Sequence, residues 1–314
     1  MSKPGTEELQ RKILELKEEK GALLLAHNYQ VGEIQEVADF IGDSLELCRR
    51  AQQVEEAELI IFCGVDFMAE TASILNPDKR VVIPSLEALC PLAAMLPVAA
   101  VKDARRAHPD AALIVYVNTL AEAKAEADVV CTSANAAEVI SGLDEEKVLF
   151  GPDRNLAWYA SRRVPDKKII PVPADGHCYV HRLFGDGSEA MELKRRHPGS
   201  ELLVHPECEP EFQLKADHVL STGGIYRRCA ESDARIFIIG TEVGMVDRLR
   251  REIPGKTFLP AGEHAICSAM KKITLENTYR ALRDEEPIMK VPDDVAERAR
   301  APIERMLSMS RYLS

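Results

Sequence analysis

The chain has 314 residues, 46% of them hydrophobic and 29% charged, and carries a formal net charge of −11 at pH 7. This is the composition of a globular protein long enough for two or three domains, and its acidity excludes non-specific nucleic-acid binding, which needs a basic face. No stretch approaches the ~18 consecutive apolar residues of a membrane span.

Met1 to Lys20 is charged and has no apolar core of the kind a secretory signal needs, so a cytoplasmic protein with no membrane partner is expected. Thr6 is placed to cap a first helix that buries Leu9, Ile13 and Leu16 on one face and stops at Gly21. Short apolar runs then alternate with helical stretches. Strands are predicted at Ala22–Ala26, Leu59–Cys63, Arg80–Ile83, Leu113–Val117, Asp128–Cys131, Val148–Phe150, Lys168–Val172, Leu202–Val204, His218–Leu220, Ile236–Ile239 and Thr257–Leu259. Apolar runs of this length, bounded by Gly, Pro and polar turns, suit buried parallel strands, and their alternation with helices implies α/β units. Pro302 falls inside a C-terminal helical stretch, Val295–Ser310, and is expected to kink it.

The eight cysteines (Cys48, Cys63, Cys90, Cys131, Cys178, Cys208, Cys229 and Cys267) include no near neighbours in sequence. That excludes the C-x-x-C pairs of zinc ribbons and thioredoxins and the clustered run of bacterial ferredoxins. Three of the eight belong to a repeat. Arg80-Val-Val-Ile-Pro84 leads to Cys90, Lys168-Ile-Ile-Pro171 to Cys178, and Lys256-Thr-Phe-Leu-Pro260 to Cys267. The cysteines are 88 (178 − 90) and 89 (267 − 178) residues apart. His108-Pro109 and His197-Pro198 repeat at the same interval, as do Gly151-Pro-Asp and Gly240-Thr-Glu. Such a period is too long for a solenoid unit and fits a small domain. The expectation is three homologous α/β/α sandwich domains: residues 1–83 with 261–314, residues 84–172, and residues 173–260. A pseudo-threefold arrangement would bring equivalent positions to a central cluster and active site, each cysteine lying beyond the carboxyl end of a strand.

Three thiolates without a fourth leave one iron of a [4Fe–4S] cluster open to act as a Lewis acid, whereas zinc is the competing metal for the same ligands. Cys48, Cys63, Cys131 and Cys229 read as small core hydrophobes. Polar residues collect at other strand ends: His27-Asn28-Tyr29, Tyr116 with Asn118, and His205-Pro206-Glu207. A histidine beside a carboxylate is a usable acid–base pair. The turns Gly42-Asp43-Ser44, Cys131-Thr132-Ser133-Ala134-Asn135 and Ser221-Thr222-Gly223-Gly224 each precede a helical stretch. Such turns serve as ordinary N-caps or as anion sites, and three of them suit a ligand with several anionic groups.

Taken in order, Ala26-His27-Asn28-Tyr29-Gln30, Gly42-Asp43-Ser44-Leu45-Glu46, Tyr116-Val117-Asn118, Cys131-Thr132-Ser133-Ala134-Asn135, Gly176-His177-Cys178-Tyr179-Val180-His181, His205-Pro206-Glu207-Cys208 and Ser221-Thr222-Gly223-Gly224 resemble the quinolinate synthases from about Leu23 to Met270. The resemblance implies a triangular molecule around one [4Fe–4S] cluster held by Cys90, Cys178 and Cys267. It implies condensation of iminosuccinate with dihydroxyacetone phosphate, with loss of phosphate and two waters, in NAD biosynthesis. It implies substrate contacts at His27, Ser44, Tyr116, Val117, Asn118, Ser133, His205, Pro206, Glu207 and Thr222. Proton handling would fall to Glu207 with His205, and then to Tyr29 and His181. The partners would be the two small substrates and, transiently, the enzyme that supplies the imine. Pro91 departs from the family pattern beside Cys90, where it fits the first position of a helix. Two other readings fit a three-cysteine cluster: a different hydro-lyase on a small carboxylate, and a non-catalytic iron or metabolite sensor. The acid–base residues at the strand ends weigh against the sensor.

Overall fold

The computed structural model describes residues 5–53 and 57–309. Among the described residues twelve strands form three four-stranded sheets, all parallel within each sheet. The first holds β1 (Ala22–His27), β2 (Phe40–Gly42), β3 (Leu59–Cys63) and β4 (Arg80–Val82); the second holds β5 (Ala112–Tyr116), β6 (Val129–Cys131), β7 (Lys147–Gly151) and β8 (Lys168–Pro171). The third holds β9 (Glu201–Val204), β10 (His218–Val219), β11 (Ile236–Gly240) and β12 (Thr257–Pro260). All three have one strand order: β2-β1-β3-β4, β6-β5-β7-β8 and β10-β9-β11-β12. The α/β class and the triplicated sheet expected from the sequence are thus present.

Central strands such as Leu59-Ile-Ile-Phe-Cys63 are buried along their whole length, which is why they read as unbroken apolar runs. β2 escaped prediction because it is a three-residue edge strand ending in Gly42. The described residues group into two compact units, one within Met1–Cys90 and Cys267–Asp293, the other within Pro91–Ile266 and Asp294–Ser314. The first carries the β1–β4 sheet, with the helix Leu275–Asp284 packed on the helix Thr6–Glu19. The second carries the other two sheets. Its C-terminal helix, Asp293–Met309, is one element with Pro302 buried inside it, and Arg298 and Arg305 reach Glu126 and the Asp128 carbonyl. The predicted end of that helix, Ser310, lies outside the described residues.

One local expectation is corrected. Thr6 does not cap the first helix: Gly5 is the N-cap, in a left-handed conformation at φ 95°, and makes no side-chain cap. Glycine reaches that conformation without a Cβ clash, and Thr6 becomes the first helical residue. Ile13 is fully buried whereas Leu9 and Leu16 are half-buried. Pro91 opens the short helix Pro91–Ala94, the position where its missing N–H costs nothing.

A repeated aspartate locks each sheet. Asp39, Asp128 and Asp217, 89 residues apart (128 − 39 and 217 − 128), accept the N–H of Leu24, Leu113 and Leu202 at 2.8, 2.7 and 2.7 Å. Their own amides donate back to the carbonyls of the same three leucines. Each aspartate has a cationic partner: Lys17, Arg105 and Lys194.

Candidate active site

Chain order reverses between the two inner strands of each sheet, and the crevice beyond their carboxyl ends is where open parallel sheets bind ligands. Strand register makes the equivalences explicit. Leu23 pairs with Ile60, Ala112 with Val148 and Glu201 with Phe237. Counting forward, His27, Tyr116 and His205 are equivalent, as are Tyr29, Asn118 and Glu207. The pairings Leu25 to Phe40, Ile114 to Val129 and Leu203 to His218 likewise make Ser44, Ser133 and Thr222 equivalent.

The cysteine loops are anchored alike. The first helical amide after each inner strand, at Asp66, Arg154 and Val243, donates to Ala88, Gly176 and Ala265, each two residues before a repeat cysteine. The Cys90 N–H donates to Asp66 Oδ1 at 3.0 Å, and the Cys178 N–H to Asp153 Oδ2 at 3.1 Å. Gly176 has to be glycine, since a Cβ there would lie 1.8 Å from the Pro152 carbonyl oxygen. Cys90, Cys178 and Cys267 are the half-buried members of the eight cysteines, the others are buried, and none is in a disulfide. Burial pushes the thiols of Cys63 and Cys229 up to about 12, and those of Cys131 and Cys208 well above the ordinary value.

In the first unit, His27 is buried at the end of β1, and its Nδ1 accepts the Tyr29 N–H at 3.2 Å. The two rings meet edge to face at 4.5 Å, and Lys271 Nζ donates to the Tyr29 carbonyl. Ser44 starts the helix Ser44–Gln53, with Asp43 and Glu46 exchanging hydrogen bonds across its N-terminus.

In the second unit a buried network surrounds Glu207. Its Oε1 accepts from the Tyr116 hydroxyl at 2.6 Å and from Asn118 Nδ2 at 3.4 Å. Its Oε2 lies 2.8 Å from His181 Nδ1, within ion-pair distance. His181 Nε2 is 2.9 Å from Thr241 Oγ1. The His205 ring stacks on His181 with centroids 4.6 Å apart. His205 Nδ1 accepts the Glu207 N–H at 3.3 Å, which places the proton of the neutral ring on Nε2, 3.2 Å from Ser133 Oγ. Thr222 is buried as the first residue of its helix, whose N-cap Ser221 accepts from Gly224. Val117 and Pro206 follow Tyr116 and His205, with Val117 N–H bonded to the Cys131 carbonyl.

Burial alone would raise the Glu207 carboxyl, but the imidazoles of His181 and His205 and the hydrogen bond from Tyr116 outweigh it and hold it well below the usual carboxylate range. Burial and the Glu207 charge push Asp153 up instead. The pair therefore carries its negative charge on Glu207. Cys178 Sγ, a His181 nitrogen and a Glu207 oxygen also lie within 4.8 Å of one another, a group that could hold a metal ion.

Thus His181 and Glu207 meet, as do Tyr116, Asn118 and Glu207, and Ser133 and His205. Sequence reasoning assigned nothing to Thr241, Asp153 or Asn155, although Asp153 sits in the repeated Gly151-Pro-Asp motif. Asn155 Nδ2 donates to the Glu207 carbonyl at 3.0 Å.

Repeated parallel α/β sheets with acid–base side chains buried beyond their carboxyl ends define an enzyme of the α/β class. Residues 11–308 match the family described as quinolinate synthetase A protein, and the chain belongs to that family. It is 58% identical over 303 residues to the quinolinate synthase of Methanothermobacter thermautotrophicus, covering 96% of this chain and 99% of the relative. Identity to the enzyme of Pyrococcus horikoshii is 54% over 304 residues, covering 97% and 100% of the two chains. For that of Methanocaldococcus jannaschii it is 50% over 301 residues, covering 94% and 97%. Among the described residues no helix is long and apolar enough to cross a membrane.

Proposed function

We propose that this enzyme condenses iminosuccinate with dihydroxyacetone phosphate to give quinolinate, phosphate and two waters. The observation that carries this reading is the buried Glu207 held by Tyr116, Asn118 and His181 in a chain that belongs to the quinolinate synthetase family. The three-domain division at residues 1–83 with 261–314, 84–172 and 173–260 belongs to the same reading.

Cys90, Cys178 and Cys267 would hold the cluster. Their fit rests on the shared repeat position, on loops anchored by equivalent amides, and on thiols left half-buried while the other five are enclosed. When bound, a [4Fe–4S] cluster with three thiolate ligands supplies Lewis-acid chemistry at its open iron.

The chain's own residues do the rest. Ser44, Ser133 and Thr222 lie at or just before helix N-termini, where a hydroxyl and free amides receive an anion, and the substrates bring two carboxylates and a phosphate. His27, Val117 and Pro206 line the same strand ends. The Glu207 carboxylate lies 2.8 Å from His181 Nδ1, and the two form the acid–base couple that takes up a carbon-bound proton. His205, oriented through its Nδ1 and bonded to Ser133, holds a second proton at Nε2. Tyr29 offers a hydroxyl that donates to a developing oxyanion, while the Tyr116 hydroxyl is committed to Glu207. Iminosuccinate hydrolyses in water, so a transient contact with the enzyme supplying it is part of the proposal.

The test is an anaerobic assay of quinolinate from oxaloacetate, ammonia and dihydroxyacetone phosphate with iron-loaded protein. Formation of quinolinate with one phosphate released per product is the expected result. Loaded protein that forms no quinolinate overturns the reading.

A further inference from the structure

Two buried glutamines do the same thing to two different loops. Gln35 Nε2 donates to the carbonyls of Asn28 at 3.1 Å and Gln30 at 2.9 Å, the two residues that flank Tyr29. Gln213 Nε2 donates to the carbonyls of Pro206 and Cys208, both at 2.8 Å, the two residues that flank Glu207. The side chains are 2% and 4% exposed. Each comes from a short helix, Gly32–Gln35 or Pro210–Gln213, that turns back directly after the strand-end loop. Midway between them, 89 residues from each (124 − 35 and 213 − 124), stands Lys124. It closes the matching helix Ala121–Lys124 after the Asn118 loop and is wholly buried.

A wholly buried lysine is rare unless its ammonium is received by acceptors. By the 89-residue repeat, the residues matching those whose carbonyls Gln35 and Gln213 bond are Val117 and Thr119, which flank Asn118. The chemistry of the position also admits lysine. Among the described residues Gln213 Oε1 finds no donor, so this glutamine is used for its N–H groups alone. Lysine supplies donors and no acceptor, and so satisfies two carbonyls without leaving an oxygen unpaired.

We propose that Gln35, Lys124 and Gln213 are positioning residues, each clamping the two carbonyls on either side of one active-site residue and thereby aiming Tyr29, Asn118 and Glu207. The assignment rests on the functional reading above for what those three residues do, but the clamp itself is a property of the loops. For Glu207 the hold is complete. Asn155 bonds the Glu207 carbonyl itself, so three successive carbonyls receive side-chain donors.

The test compares Gln213→Leu, which removes the donors, with Gln213→Lys, which restores them in the form already used at position 124. Backbone amide exchange, iron content and anaerobic steady-state kinetics are read on each. In Gln213→Leu, exchange at Glu207 and Cys208 should speed by about tenfold or more with distant segments unchanged. Its kcat should fall roughly 10- to 100-fold, the scale of a displaced catalytic group, while KM and iron content hold. In Gln213→Lys both readouts should return most of the way to wild type. A Gln213→Lys protein as impaired as Gln213→Leu overturns the proposal, as does a Gln213→Leu protein with normal kcat. If Gln213→Leu does not fold, Gln213→Lys and Lys124→Gln decide it together: both should keep exchange and kcat, and loss in both overturns the clamp. Failure of the wild-type protein to make quinolinate would overturn the functional reading instead, and the exchange comparison would still settle the clamp.

Discussion

Glu207→Gln tests the centre of the site with the least change of shape. In the native arrangement Oε1 accepts from Tyr116 and Asn118, and Oε2 faces His181 Nδ1 at 2.8 Å. A glutamine keeps its oxygen toward the two donors and turns its NH₂ toward His181. Nδ1 must then accept, and the imidazole proton moves to Nε2, beside Thr241 Oγ1. The substitution removes the buried negative charge beside His181, and it imposes the other tautomer. Loss of a general base costs roughly 10²- to 10⁴-fold, and a wrong tautomer in a histidine–carboxylate pair reaches the upper end. The expected loss in kcat is therefore at least about 10²-fold, near 2.7 kcal/mol of transition-state stabilisation. Iron content and substrate binding should be retained, because the side-chain volume and the Tyr116 contact persist. The assay is single-turnover and steady-state quinolinate formation under anaerobic conditions, with iron and sulfide determined on the same samples. Turnover near the wild-type rate would refute the assignment and shift proton transfer to Tyr29 or His205.

Three further predictions follow from the same geometry. Replacing Cys90, Cys178 or Cys267 by Ala should each abolish iron and sulfide binding, and replacing Cys48, Cys63 or Cys229 should not; metal-free protein near pH 8 should alkylate first at the same three half-buried thiols, while Cys63 and Cys229, pushed up to about 12, stay unmodified until unfolding. Ser133→Ala and Thr222→Ala should keep the cluster and raise KM roughly 10- to 100-fold, the loss of one hydrogen bond to a charged group, whereas unchanged kinetics in both would leave them as simple helix-start residues. Asp217→Asn should lower stability and flatten its dependence on pH. Burial would raise the Asp217 carboxyl, but the Leu202 N–H and Lys194 hold it below its ordinary value, so its contribution is fully present above the unfolded pKa of about 3.9 and is lost as pH falls through the lower folded one. Chemical denaturation of wild type and variant at pH 7 and pH 3 measures it, and an equal difference at the two pH values would refute the coupling.

What could be read from the sequence was whatever recurs along it. The eleven predicted strands lie within a residue or two of observed ones because a strand buried on both faces has to be a continuous apolar run, as in Leu59-Ile-Ile-Phe-Cys63. The repeat showed through Cys90, Cys178 and Cys267 because identical side chains mark it. Asp39, Asp128 and Asp217 recur just as regularly, and the spacing alone could have revealed them, but a single aspartate near a strand gives no local hint that it bonds backbone 15 residues away. The partner of Glu207 was harder still. His205 is its neighbour in sequence, yet the closer imidazole nitrogen belongs to His181, at 2.8 rather than 3.9 Å. A helix that follows the Cys178 loop brings it there, and no pattern within either segment encodes that approach.

The repeat also explains why only one of the three equivalent positions is acidic. Tyr29, Asn118 and Glu207 occupy the same place on three copies of one frame. Asn118 Nδ2 is 3.4 Å from Glu207 Oε1. A second carboxylate at position 118 would put two like charges at that separation inside a buried site, and one of them would have to take up a proton. Glu207 would then lose the charge that faces His181 Nδ1 at 2.8 Å. A neutral donor at position 118 does the opposite, since its N–H favours the ionised form of Glu207. The difference at this position is thus what lets a symmetric frame hold a single, defined charge, while Ser44, Ser133 and Thr222, proposed only to donate to anions, all carry hydroxyls.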